Sequence, residues 1–307
     1  MSKELIFGII GGLGLFIYGI WEMSEGLHKA SGERMRKILH NLTGSPVRGV
    51  LVGAGITSLI QSSSATTVMV IGFVNAGLIS LIQALGVIFG ANIGTTITAQ
   101  LIAFKLTDYA LPIIGLGMLT IFIAKKKTHK YIGEFLLGFG ILFLGLDILT
   151  KVVKPLGQYP WFNNLFITFG NNQLLGILAG AIVTAILQSS SVTTGMVLGL
   201  AMANLIDLKV AIPLILGCNI GTCVTALLAS IGTGISARRT AVAHIMFNVG
   251  GVVIFLPFLG FFRNLVAHTS GEIPRQIANA HTVFNVINTI IFLPFVRAYA
   301  NLLTKVV

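Results

Sequence analysis

The sequence has very little charge. Lys, Arg, Asp and Glu make up 9% of its 307 residues, whereas hydrophobic residues make up 55% and the mean hydropathy is +0.93. A soluble domain carries about 25% charged residues, so a soluble globular fold is excluded. Apolar runs of about 20 residues recur, each long enough to cross a bilayer as a helix. Gly, Asn, Ser and Thr interrupt these runs without strict alternation, so the sequence predicts an all-α membrane protein and not a β-barrel.

Acidic residues and cysteines are scarcer still. Nine Asp and Glu stand against 20 Lys and Arg, and the two cysteines, Cys218 and Cys223, lie in one apolar run. We expect both to be small packing residues, not a disulfide or metal site. The net charge of +11 does not indicate nucleic-acid binding, because the basic residues cluster between apolar runs, as in membrane proteins. The sequence shows no nucleophile–base–acid constellation and no Walker lysine, so we expect no enzymatic activity, cofactor or transition metal.

One polar block occurs twice in this apolar chain. Gln61-Ser62-Ser63-Ser64 recurs as Gln188-Ser189-Ser190-Ser191, which is 127 positions later (188 minus 61). The register holds without a gap from 53/180 to 101/228, and 90–95 matches 217–222 within it. Hydroxyl and amide side chains therefore recur at matching places, which suggests one buried site built from two halves.

The apolar runs divide into full spans and two interrupted segments. We predict about seven full transmembrane helices, at 4–23, 78–104, 109–124, 131–150, 205–230, 239–262 and 277–303. The segments at about 47–76 and 174–203 contain the polar blocks. Non-helical backbone at membrane depth is tolerated only where protein or a cavity surrounds it, so we predict two re-entrant hairpins with serines near the tips. The single transport domain, 1–307, then contains repeat 1 (5–124), repeat 2 (131–262) and an extra C-terminal helix (277–303).

The distribution of Lys and Arg predicts how the chain lies in the membrane. If each hairpin enters and leaves on one face, the side that holds 24–47, 125–130, 231–238 and the C-terminus carries 13 of the 20 basic residues. The positive-inside rule makes that side cytoplasmic. We therefore expect a multi-pass protein of the plasma (inner) membrane, with its N-terminus outside. An odd number of crossings separates the repeats, so the second is inverted, as in many secondary transporters.

A shorter repeat lies near the C-terminus. Residues 243–249 resemble 280–286, and 255–258 resemble 292–295, with a shift of 37 (281 minus 244). His244 and Asn248 share a helix face, as do His281 and Asn285. Two interpretations stay open: a polar face that lines the interior, or interhelical hydrogen bonds that hold the bundle together. A duplicated bundle without a pore is the alternative for the whole fold.

The polar blocks suit an oxyanion and Na⁺ together. Serine hydroxyls and the N–H groups at a helix N-terminus donate to an anion, while Gln, Thr and Asn oxygens suit a small hard cation. Because no Lys or Arg stands inside the blocks, bound cations would supply the positive charge.

These motifs resemble the type II sodium-dependent inorganic phosphate cotransporters, in particular their compact bacterial members. The resemblance rests on the paired Gln-Ser-Ser-Ser blocks, each followed by Asn-Ile-Gly-Thr, and it covers nearly the whole chain. It implies Na⁺-coupled phosphate uptake, with the substrate bound between two re-entrant hairpins. Phosphate, Na⁺ and the lipid bilayer are the expected partners, and whether the chain forms a homodimer stays open.

The resemblance also implies a set of site residues. Carried over by position, the implied phosphate ligands are Ser62, Ser63, Ser64, Ser189, Ser190 and Ser191. The implied Na⁺ ligands are Gln61, Thr66, Asn92, Gln188, Thr193 and Asn219. Further polar lining is expected from Thr95, Thr222, His244 and Asn248.

The chain departs from the family pattern in two respects. Electrogenic animal members carry an Asp after the His of a His-x-x-Phe-Asn-like motif in the first half. Here the motif occurs only late, with Ile245 and Thr282 after the His, so electroneutral transport is expected. Many bacterial members add a soluble helical domain, which we expect to be absent here. A symporter of another small anion and a passive phosphate channel or exporter remain the alternatives.

Overall fold

The computed structural model of the protein describes residues 3–42, 44–104 and 106–307, with side chains described throughout except at 31–42. Within these ranges the chain is almost entirely helical and has no β-strand, which confirms the predicted all-α class. The first half consists of α1 (Lys3–Leu42), α2 (Pro46–Ile60), α3 (Ser63–Asn75), α4 (Leu81–Gly94), α5 (Thr96–Ile102) and α6 (Ala110–Ile123).

The second half follows the same order with additions. Its helices are α7 (Lys127–Val153), α8 (Pro160–Asn171), α9 (Gln173–Leu187), α10 (Ser190–Met202), α11 (Leu208–Gly221), α12 (Cys223–Ser230), α13 (Ile235–Phe255), α14 (Leu259–Ala267), α15 (Ile273–Phe292) and α16 (Val296–Val306). A Leu-Pro-Phe 3₁₀ turn joins α13 to α14, and a second joins α15 to α16. Proline lacks the N–H that an uninterrupted helix needs, so the helical stretches Ile235–Ala267 and Ile273–Val306 both break at their Leu-Pro-Phe sequence.

Seven helical stretches in the described ranges are long and apolar enough to cross a membrane. They are Lys3–Ala30, Leu81–Ile102, Leu106–Ile123, Lys127–Gln158, Leu208–Ser230, Ile235–Ala267 and Ile273–Val306. Each overlaps one predicted span, so the multi-pass membrane fold is confirmed. The helices at the polar blocks are shorter, and α9 joins α8 at a bend of 110°, the geometry of a broken span or a re-entrant loop. The sequence analysis had assigned no helix to α8.

Backbones approach closely where α2 packs on α4 and where α9 packs on α11. A Cβ atom at Gly90 of α4 would collide with the carbonyl oxygen of Val50 in α2, and one at Gly217 of α11 would collide with that of Ile177 in α9. Only glycine permits this approach. Helices α2 and α9 are thereby held directly against α4 and α11.

The contacts between helices are preserved when each helix is exchanged for its counterpart in the other half of the chain. Helix α4 packs against α13 as α11 packs against α15, and α12 packs against α13 as α5 packs against α15. Likewise α3 contacts both α12 and α13, while α10 contacts both α5 and α15. The shift of 127 residues therefore relates the helices of the polar blocks, and the shift of 37 relates the helices packed around them. The boundaries of the repeats themselves stay predictions.

Candidate functional site

Each polar block is a turn at which one helix ends and the next begins. Gln61 ends α2 and Gln188 ends α9, both in the left-handed conformation, with φ of 59° and 54°. The next residue caps the following helix: Ser62 Oγ accepts from the N–H of Ala65 at 3.1 Å. Ser189 Oγ accepts from the N–H of Val192 at 3.3 Å. We name these turns tip 1 (61–64) and tip 2 (188–191).

The tips present N–H groups at the ends of two 13-residue helices. Beyond the capped N–H, Thr66 N–H bonds to the carbonyl of Ser62 at 3.2 Å, and Thr193 N–H bonds to that of Ser189 at 3.2 Å. The N–H groups before them, on the second and third serines of each block, have no intrahelical partner. Together with the helix dipole, such groups form a site for an anion. The two tips provide it in duplicate.

Two threonines connect each tip to the other repeat. Thr98 of α5 donates to Gln61 Oε1 at 2.7 Å, and Ser191 Oγ donates to Thr98 Oγ1 at 3.4 Å. Thr225 of α12 lies 3.2 Å from Ser64, hydroxyl to hydroxyl. Since 225 minus 98 is 127, the two contacts are equivalent. The structure therefore brings tip 1 and tip 2 together through α5 and α12.

Sequence reasoning missed Thr98 and Thr225. Both stand in the gapless repeat, and they are identical in the two copies, so the register contained the signal.

The site is buried and polar without a basic side chain among its hydrogen-bond partners. Ser63, Ser190 and Ser191 are 5%, 3% and 8% exposed, and Thr98 is 1% exposed. In the described ranges, no hydrogen bond made by a side chain of tip 1 or tip 2 involves Lys or Arg. Asp147 of α7 forms an ion pair with Lys151 at 2.6 Å.

The two tips differ in how firmly they are held. At tip 1, Gln61 is 5% exposed and also donates to the carbonyl of Ser58, and Thr57 donates to Thr66 Oγ1 at 2.9 Å. At tip 2, Gln188 is exposed. Thr184, the counterpart of Thr57, is fully buried and makes no hydrogen bond to Thr193, the counterpart of Thr66. Equivalent residues thus have unequal environments within one chain.

The predicted Na⁺ ligands fall into two groups. Thr66 and Thr193 lie at the tips, where each donates to the carbonyl of the capping serine, at 3.1 and 3.3 Å. Asn92 and Asn219 lie on α4 and α11, and both are buried. Thr95 and Thr222, expected as polar lining, separate α4 from α5 and α11 from α12 and are buried too.

Asn219 belongs to a second polar cluster. Its Oδ1 accepts from His281 Nε2 at 3.0 Å, and its Nδ2 donates to Asn285 Oδ1 at 3.3 Å. Asn285 Nδ2 in turn donates to the carbonyl of His281 at 2.8 Å. These three residues form the second polar triad (Asn219, His281, Asn285). His281 is therefore an interhelical partner, one of the two roles that the sequence left open.

The equivalent first polar triad (Asn92, His244, Asn248) is not closed. Asn92 Nδ2 donates to the carbonyl of Ile88 in its own helix at 2.9 Å. Neither ring nitrogen of His244, which is 1% exposed, has a partner, and Asn248 Oδ1 has none. Asn248 Nδ2 lies 3.4 Å from the sulfur of Cys223. Both cysteines are free and buried, in agreement with the packing role expected for them.

A multi-pass helical bundle in which two equivalent helix N-termini meet at a buried polar site is the architecture of a membrane transporter. A family model described as Na⁺/Pi-cotransporter matches residues 15–151 and 159–291. The chain therefore belongs to the Na⁺/Pi-cotransporter family, which is a family of transporters and not of enzymes. The resemblance seen in the polar blocks is confirmed.

Curated relatives agree with this assignment. The chain is 34% identical over 244 residues to "Uncharacterized protein YqeW" of Bacillus subtilis (strain 168), which covers 80% of this chain and 79% of that one. It is 29% identical over 265 residues to "Putative inorganic phosphate export protein YjbB" of Escherichia coli (strain K12), covering 86% and 48%. It is 36% identical over 138 residues to "Sodium-dependent phosphate transport protein 2B" of Homo sapiens, covering 41% and 20%.

The chain spans about half the length of the Escherichia coli relative, at 48%. No solved structure matches the chain.

Proposed function

We propose that the protein is a Na⁺-coupled symporter that imports inorganic phosphate across the plasma membrane by alternating access. Phosphate and Na⁺ bind together between tip 1 and tip 2, which act as the ends of two re-entrant hairpins. The hairpins enter the membrane from opposite faces, with the N-terminus outside and the C-terminus in the cytoplasm. The basic residues of the loops support this orientation.

One observation carries the proposal: two capped helix N-termini, each with three serines, are joined by the Ser191–Thr98 and Thr225–Ser64 contacts. Phosphate has four oxygens that accept hydrogen bonds. The second and third serines of each tip offer N–H and O–H donors to those oxygens. A single anion between the tips would engage both repeats at once, which a site on one helix end cannot do.

Na⁺ coupling follows from electrostatics. An anion enters this buried site without a basic side chain to neutralise it, because the hydrogen-bond partners of the tips are neutral. The oxygens of Gln61, Thr66, Gln188 and Thr193 at the tips suit Na⁺, and Asn92 and Asn219 supply further oxygens from α4 and α11. Moving one negative charge inward against −100 mV costs about 2.3 kcal/mol, and a divalent anion costs roughly twice that. Two Na⁺ per divalent phosphate would remove this cost, which favours electroneutral uptake.

A second candidate is a passive phosphate channel or exporter. The similarity to a relative named for phosphate export favours it, because that protein shares 265 aligned residues with this chain. The two candidates use the same site and differ in whether Na⁺ binding is required for phosphate to cross.

Transport of ³²P-phosphate in proteoliposomes distinguishes them. For the symporter, an inward Na⁺ gradient drives accumulation above the external concentration, and replacing Na⁺ by K⁺ or choline abolishes it. Phosphate flux that follows only its own gradient, with or without Na⁺, contradicts coupling and supports the channel. A second set of vesicles, loaded with phosphate and given an outward Na⁺ gradient, tests export by the same protein.

Competition identifies the anion. Arsenate has the shape and protonation of phosphate, so it should compete fully, whereas sulfate and small carboxylates should not. Uptake that sulfate or a carboxylate suppresses would assign the site to another anion.

A further inference from the structure

The two polar triads differ although the helices that carry them are equivalent. In the second triad, His281 and Asn219 form a hydrogen bond of 3.0 Å. In the first, His244 has no partner at either ring nitrogen. Burying a polar group without a hydrogen-bond partner destabilises the folded state, so the unpartnered His244 calls for a reason.

The packing of the helices identifies Asn92 as the residue that would pair with His244 as Asn219 pairs with His281. Helix α15, which carries His281, packs against α11, which carries Asn219. Its counterpart α13, which carries His244, packs against α4, which carries Asn92. Phe89 of α4 and Phe247 of α13 stack with ring centroids 4.3 Å apart, one helical turn from Asn92 and His244. The same two-fold exchange therefore relates the pair His281–Asn219 to the pair His244–Asn92.

The bonding at the two tips is the reverse of the bonding in the two triads. Tip 1 is held by the Thr57–Thr66 and Gln61–Thr98 bonds, whereas the first polar triad, which contains Asn92 of α4, is open. Tip 2 lacks a Thr184–Thr193 bond and exposes Gln188, whereas the second polar triad, which contains Asn219 of α11, is closed. Each tip and the triad on the long-range partner helix of its repeat, α4 or α11, thus show opposite bonding.

We infer that His244 and Asn92 form, in the opposite-facing state, the hydrogen bond that His281 and Asn219 form in this one. His244 and His281 are then positioning residues, each of which stabilises one of the two states. This inference rests on the proposed alternating access, because it assumes that the two repeats exchange their conformations. It assigns a role to an imidazole that the transport site itself does not use.

Thiol labelling of the detergent-solubilised protein tests the inference. Gln61→Cys and Gln188→Cys report the two tips, and the parent chain, whose cysteines are 0% and 2% exposed, gives the background rate. We expect position 188 to react faster than position 61. His281→Leu should raise the rate at 61 and lower that at 188, by about fivefold in their ratio, whereas His244→Leu should change the ratio in the opposite direction. Loss of one hydrogen bond corresponds to a change of that size.

Two further variants keep the test decisive. His281→Gln retains a donor for Asn219 and should return the ratio toward that of the parent. The double variant His244→Leu/His281→Leu should also approach the parent, because the two losses oppose each other. A histidine with a merely structural role would raise both labelling rates through unfolding, and the double variant would be worse than either single one.

Either single variant leaving the ratio unchanged, or both moving it in the same direction, overturns the inference. Labelling requires neither Na⁺ nor phosphate, so its outcome is independent of the transport assay. Opposite shifts in the labelled variants, together with a parent chain that fails to accumulate phosphate, would refute the proposed symport and leave the exchange of triads standing. Normal symport with an unchanged labelling ratio would refute the exchange of triads and leave the proposed symport standing.

Discussion

The Thr98 hydroxyl donates a 2.7 Å hydrogen bond to Gln61 Oε1 and accepts one of 3.4 Å from Ser191. One side chain of α5 thus connects Gln61 of tip 1 with Ser191 of tip 2. The connection makes the two polar blocks parts of one site, and it can be removed without touching either block.

Thr98→Val removes this connection at nearly constant volume. Gln61 Oε1 would stay buried without its donor, which costs about 1–3 kcal/mol, so we expect a lower thermal unfolding midpoint and reduced phosphate uptake. Thr98→Ser keeps the hydroxyl and should retain both properties. Thr225→Val is the matched variant, and it should cost less stability because its partner, Ser64, is only partly buried. Equal losses in the two valine variants would contradict the asymmetry between the tips.

Serines within one block have separable roles. Ser62 caps α3, so Ser62→Ala should lower stability by about 1 kcal/mol. Ser63, which caps nothing, should lose phosphate affinity instead, since a hydrogen bond to a charged group contributes about 1.5–3 kcal/mol. We therefore expect the phosphate KM of Ser63→Ala and of Ser190→Ala to rise about tenfold or more. The check is ³²P uptake against phosphate concentration, with surface expression measured alongside, and near-normal KM values would remove these serines from the site.

The amide of Gln188 is expected to bind Na⁺, while its backbone requires the left-handed conformation at φ 54°. Gln188→Gly adopts that conformation freely, whereas Gln188→Ala does so at a cost of roughly 1 kcal/mol. Both variants should weaken Na⁺ activation of uptake to the same extent, and the glycine variant should be the more stable of the two by about 1 kcal/mol, because alanine bears the same cost of the left-handed conformation as the parent Gln188. Gln61→Ala should likewise weaken activation. Unchanged Na⁺ dependence in the glycine variant would show that the amide is not a ligand.

The close packing of α9 on α11 depends on Gly217. Gly217→Ala would place a Cβ against the carbonyl of Ile177 and separate α9 from α11, so we expect a clear fall in the thermal unfolding midpoint. Gly72 of α3 is the control, because a Cβ there would meet open space. Gly72→Ala should be neutral or stabilising by up to about 1 kcal/mol through helix propensity. Equal effects in the two variants would argue against backbone contact as the reason for Gly217.

Much of the fold was accessible from the sequence. The seven spans follow from apolar length, and the helix breaks at 61–62 and 188–189 follow from serines that cap helices better than they continue them. Helix α8 was missed because it is short and follows a proline-containing turn, Lys154–Gln158, without an apolar run of membrane length.

The site was less accessible, for a physical reason. Residue types show which side chains can bind an anion or Na⁺, but only packing shows which of their donors and acceptors already bond to a neighbouring residue. Asn219 has the oxygen that Na⁺ prefers, yet that oxygen accepts from His281. Nor does a repeat of identical residues reveal that one copy is bonded and the other open, as at Thr57 and Thr184. That difference belongs to the conformation of the chain and not to its sequence.

The central claim is that tip 1 and tip 2 form one site that binds phosphate together with Na⁺. Equilibrium binding of ³²P-phosphate to the purified protein tests it most directly. We predict one phosphate per chain in the presence of Na⁺, none in K⁺, and affinity about tenfold or more weaker for that one site in Ser63→Ala and in Ser190→Ala alike. Phosphate bound equally well without Na⁺, or half the capacity surviving in each single variant as two independent sites would give, would contradict the claim.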